Sequence, residues 1–145
     1  MKRYGSEKEI RTVIDGFESG TIARSDWRHA EHLTMALHYL TENEFEMALA
    51  KMRRGIFNLL GAFGVDLSKE MPFHETLTVF WMMTVADFMS ATNGMPLLEK
   101  TNAMVEKFDK DYPLRFYSRE FLFSDEARAK YVEPDILSNQ KESVI

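Results

Sequence analysis

Cysteine is absent from this 145-residue chain, which excludes disulfides, thiolate zinc sites and cysteine nucleophiles. Any metal must then be held by histidine, carboxylate or backbone oxygen. Proline and glycine are scarce, at four and seven residues, and neither a repeat nor a low-complexity tract interrupts the sequence. The chain therefore reads as one domain over 1–137, with a loose tail at 138–145. Long apolar runs are also missing: the longest, Leu77 to Met89, covers about thirteen residues, contains Asp87 and is too short to span a bilayer. The opening "MKRYGSEKEIRTVI" has basic residues but no apolar segment behind them, which argues against a secretory signal. A soluble, cytoplasmic protein is the expectation. An excess of positive charge is lacking too, since 23 acids against 18 bases give a formal charge of −5, which disfavours nucleic acid and anionic lipid as partners. The one dense basic cluster, Lys51, Arg53 and Arg54, reads as a solvated helix face.

What is present is helix-forming sequence. Apolar residues at helical spacing predict helices over 7–17, 27–40, 45–63, 72–93 and 96–108, with shorter helical segments at 114–117 and 124–132. Ser25 or Asp26 is expected to cap the second helix, and "TENE" at 41–44 to open the third as a capping box. The fourth is the most apolar and is expected to be central. No stretch alternates apolar and polar as a half-buried strand does, so the fold class is all-α, a compact bundle of about five main helices.

Histidine is where chemistry concentrates. "SDWRHAEHLTMALHYL" holds three of the four, and the fourth stands in "PFHETLTVFW". At about 100° per residue, with Leu33 at zero, His29 falls at about −40°, His32 at about −100° and His38 near 140°. His29 is thus expected to face the core, His32 to flank it and His38 to face solvent. With Trp81 at zero, His74 falls near 20°, also inward. An inward imidazole without a partner costs about 1–3 kcal/mol, so something must satisfy these rings. One solution is a divalent metal, zinc or iron, held by His29, His32 and His74 with an open coordination position. The other is that each ring bonds a backbone carbonyl, a carboxylate such as Asp26, or Tyr117.

Near matches narrow the chemistry. "HETLT" opens like the zinc-protease H-E-x-x-H but has threonine at 78, and Asp26-x-x-His29 has no second copy to make a di-iron bundle. Glu75 is a candidate general base, Tyr117 is a candidate to support a metal ligand or transfer a proton, and Trp27, Thr78 and Trp81 are candidates to line a pocket. No nucleotide-binding or serine-hydrolase motif is present.

"WRHAEHL" at 27–33, "FHETLT" at 73–78 and "FYSREFLFSDEARAKYVEPDIL" at 116–137, taken together, resemble a family of small bacterial proteins of unknown function. That family has W-x-H-x-x-H-L and H-E-T-x-T segments and a Y-S…A-R…P-D ending. The matching positions are Trp27, His29, His32, His74, Glu75, Thr76, Thr78, Tyr117, Ser118, Arg128, Pro134 and Asp135; the resemblance implies no particular activity, cofactor or partner. Arg128 and Asp135 are expected to form a structural ion pair. Three functions stay open: a metal-binding protein, acting as an enzyme on a small molecule; a non-enzymatic binding module for an apolar ligand or haem; and a protein–protein interaction domain. Substrate and oligomeric state are not legible.

Overall fold

In a computed structural model, which describes residues 3–69 and 72–136, the chain is all-α. The expected tail lies outside the described residues. The helices are α1 (Glu7–Ser19), α2 (His29–Glu42), α3 (Phe45–Ala62), α4 (Glu75–Ser90), α5 (Leu97–Lys107), α6 (Arg119–Leu122) and α7 (Asp125–Ala129). Single 3-10 turns cover Arg24–Asp26 and Tyr112–Arg115.

The helix ends follow local chemistry, not always at the expected residue. α1 is capped by Ser6, whose hydroxyl accepts the Glu9 N–H, and ends at Gly20, whose φ of 74° lies in the left-handed region glycine tolerates. Ser25 and Asp26 sit in the 3-10 turn and do not cap α2. Arg28 precedes α2 instead, its N–H donating to the Glu31 carboxylate at 3.1 Å. The capping box at 41–44 is not formed: α2 runs on to Glu42, and the Thr41 hydroxyl donates to the Leu37 carbonyl one turn back, a bond open to any helical threonine. α4 starts at Glu75 rather than Pro72, capped by His74.

α2 packs against α1, α3, α4 and α5, while the more apolar α4 packs against α2, α3 and α7. With neighbours on so many sides, α2 has no open solvent face. His38 is accordingly 13% exposed and lies 3.7 Å from Glu42, contrary to the expectation that it faces solvent. The core gathers Leu33, Met35, Leu37, Met52, Met82, Val85 and Met104, all at most 1% exposed. Gly55 on α3 lets the Phe17 ring of α1 lie against the backbone.

The C-terminal segment returns over α4. Tyr117, fully buried, donates its hydroxyl to the Val132 carbonyl at 2.6 Å, and Thr76 bridges Lys130 O and Val132 N at 2.9 and 3.1 Å. Asp135 closes the turn by accepting from Ser118 N and Oγ at 2.8 and 2.7 Å. The expected Arg128–Asp135 ion pair is therefore replaced, and the Arg128 guanidinium lies over the Phe123 ring, 5.7 Å from its centroid.

Candidate functional site

The four candidate histidines and carboxylates fall into two groups, those with partners and one without. His29, at the start of α2, bonds the Phe108 carbonyl through Nε2 at 2.7 Å and packs its ring 4.7 Å from that of Trp81. His74 is not helical; at φ −134°, ψ 103° it is the N-cap of α4. Its Nδ1 accepts the Leu77 N–H at 3.2 Å, which places the proton on Nε2, and Nε2 donates to the Leu122 carbonyl at 2.7 Å. Both rings thus take the backbone-carbonyl solution, on two different carbonyls. Burial lowers the pKa of His74, an effect partly offset by the Leu122 bond, so the ring is neutral at pH 7.

His32 differs. Its Nε2 is buried and has no hydrogen-bond partner among the described residues. Desolvation first, and the neighbouring His29 second, push its pKa down to about 4, so it too is neutral at pH 7. The ring stacks on Trp27 at 5.9 Å, and Trp27 in turn stacks on Phe17 at 4.8 Å.

Glu75 and Tyr117 serve other ends. Glu75 receives the Arg53 guanidinium in a forked pair, with Nε to the two carboxylate oxygens at 3.0 and 3.1 Å, and this ties α4 to α3. Tyr117 holds the C-terminal segment, and burial first pushes its hydroxyl well above the usual tyrosine range. Neither lines the cavity described next.

A cleft of about 400 Å³ opens between α2, α3 and α4. Its walls are Trp27, Ile56, Leu60, Phe63, Phe73, Leu77 and Trp81, with Pro72 at one edge, and its polar groups are Arg24, His32, His74 and Thr78. The expected pocket residues Trp27, Thr78 and Trp81 therefore meet His32 and His74 in one cavity, while His29 lies outside its lining. Ile56, Leu60 and Phe63 belong to the apolar stripe of α3 but are only half-buried, because that end of the stripe faces the cleft and not a neighbouring helix. Thr78 donates its hydroxyl to His74 O at 2.8 Å. No group of three or more histidine or carboxylate side chains among the described residues is disposed to hold a metal ion.

No family model, curated protein or solved structure matches this chain. The site is therefore read from its own geometry.

Sequence reasoning missed Arg24, Phe73 and Glu31. Glu31 is 4% exposed, pairs with Arg3 and accepts the Arg28 N–H, so it fixes the start of the helix that carries His32. An acid three residues after an N-cap was a visible signal, obscured because arginine occupies the cap position. A larger groove of about 750 Å³ runs along α1, but its buried polar groups are already spent: Glu31 on Arg3 and the Arg28 N–H, Tyr4 on Thr34. No helix among the described residues is long and apolar enough to cross a membrane.

Proposed function

We propose that this chain is a non-enzymatic binding module that takes a small, mainly apolar molecule into the α2–α3–α4 cleft, with His32 as its hydrogen-bonding anchor. The observation that carries the reading is that His32, whose buried Nε2 has no partner among the described residues, lines a cavity whose walls are mainly indole, phenyl and aliphatic. A buried polar atom left unsatisfied costs about 1–3 kcal/mol, and a ligand atom meeting it recovers that loss on binding. The volume falls within the range of about 300–1,000 Å³ usual for small-molecule pockets, and apolar walls with a few convergent polar groups are their usual lining. Neutral imidazole suits a hydroxyl, which complements Nε2 in either tautomer, or a carbonyl where Nε2 carries the proton. A metal bound by His29, His32 and His74 has weaker support, because His74 would have to give up the Leu77 N–H if it bound through Nδ1, or both its bonds if it bound through Nε2.

Two measurements test the reading. Native mass spectrometry of protein purified without a tag should find a co-purified organic molecule, and Nile red, an uncharged apolar dye, should bind with quenching of Trp27 and Trp81 emission. Leu60→Trp, which fills the cleft from a half-buried position, should abolish dye binding while the helical circular dichroism is retained. Unchanged dye binding in Leu60→Trp would overturn the proposal.

A further inference from the structure

The cleft holds a feature that an apolar ligand alone leaves unused. Arg24, in the 3-10 turn ahead of α2, lines the mouth with its guanidinium 5.9 Å from the Phe63 ring centroid. No carboxylate among the described residues lies within ion-pair distance of it, although the chain carries a net charge of −5 and both Arg3 and Arg53 are paired with acids. No acidic side chain among the described residues lines the cleft. The result is a local positive mouth on an acidic protein, opening onto apolar walls.

From this geometry we infer that the ligand is an amphipathic carboxylate, its apolar body held between Trp27, Trp81 and the α3 stripe and its carboxylate paired with Arg24. A cationic ligand would meet Arg24 without a counter-charge. A phosphate ester would meet one guanidinium and an apolar wall where a dianion needs several donors, whereas a single carboxylate matches the two parallel N–H groups of one guanidinium. The inference rests on the binding reading above and specifies the charge of its ligand.

A matched pair of probes separates the two claims. 10-Hydroxydecanoate carries a carboxylate at one end and a hydroxyl at the other; 1,10-decanediol has the same chain with the charge removed. By displacement of Nile red in low salt, the carboxylate should bind about tenfold more tightly than the diol, at the lower end of what a charge-assisted hydrogen bond contributes because Arg24 is exposed. Arg24→Gln should bring the ratio close to one, chiefly through loss of carboxylate affinity, and Arg24→Lys should restore part of it. Higher salt should shrink the ratio for the wild type only. Equal binding of both probes to the wild type, or a preference that survives Arg24→Gln, would overturn the inference and leave the binding reading standing. If neither probe displaces the dye, both fail.

Discussion

At the scale of single residues, three histidines near one cleft show how partner geometry decides what an imidazole does. His74 uses both nitrogens, one to cap α4 and one to hold the Leu122 carbonyl, and is thereby committed to structure. Replacing it separates the two bonds. Asparagine can still cap the helix by accepting the Leu77 N–H, so His74→Asn should cost about 1 kcal/mol, the net worth of the lost Leu122 bond. Leucine can do neither, and His74→Leu should cost about 2–3 kcal/mol because the helix cap is lost as well as the Leu122 bond. Urea denaturation midpoints at pH 7.5 would show the order; equal losses in the two variants would mean that the cap contributes nothing. The spacing of His29 and His32 and the inward position of His29 were legible in the sequence. The carbonyls of Phe108 and Leu122 were not, because a backbone acceptor in a loop or a short helix leaves no mark in side-chain pattern.

At the scale of elements, the five long helices were legible because apolar spacing of three and four residues recurs through each, and only their ends moved. The shifts have identifiable causes. Thr41 bonds within its own helix, and the ring of His74 takes the N-cap position of α4. α6 went unread because four residues are too few to show a period. The contact between α1 and α3 was equally invisible, since nothing in "RRGIFN" distinguishes a packing glycine from a helix weakener. Propensity alone says that Gly55→Ala should stabilise α3 by about 1 kcal/mol. The structure reverses the sign: a Cβ at Gly55 would lie 2.3 Å from Cε2 of Phe17. Phe17 is 1% exposed, stacked on Trp27 and edge-on to Tyr39 at 6.3 Å, so its ring has nowhere to move without disturbing both neighbours. Gly55→Ala should therefore destabilise by about 1–3 kcal/mol. It should also weaken dye binding, because Trp27 rests on the displaced ring. A more stable Gly55→Ala protein in thermal denaturation would show that α1 and α3 can separate freely.

At the scale of the molecule, His32 and His74 make folding stability depend on pH in a window set by imidazole. Both have folded pKa values below the unfolded value of about 6.5, chiefly through burial, so between the two values the unfolded chain binds more protons than the folded one. Stability from these groups is fully present above about pH 6.5 and declines as the pH falls toward the folded value of His32, about 4. For His32 alone the loss across that window is on the order of 3 kcal/mol, enough to remove a large part of the stability of a domain this size. His32→Phe keeps the ring shape, removes the titration and removes the orphaned nitrogen. At pH 7.5 it should be at least as stable as the wild type, and its stability should fall less steeply between pH 6.5 and 4.5, the residual slope coming from His74. The same substitution should weaken binding of 10-hydroxydecanoate and 1,10-decanediol alike, since the hydroxyl they share loses its anchor. A chain that becomes more stable and binds less well on losing one imidazole carries that group for its ligand and not for its fold. If His32→Phe instead destabilises the protein at pH 7.5 and leaves probe affinity intact, the ring is a packing element and the cleft must find its anchor elsewhere.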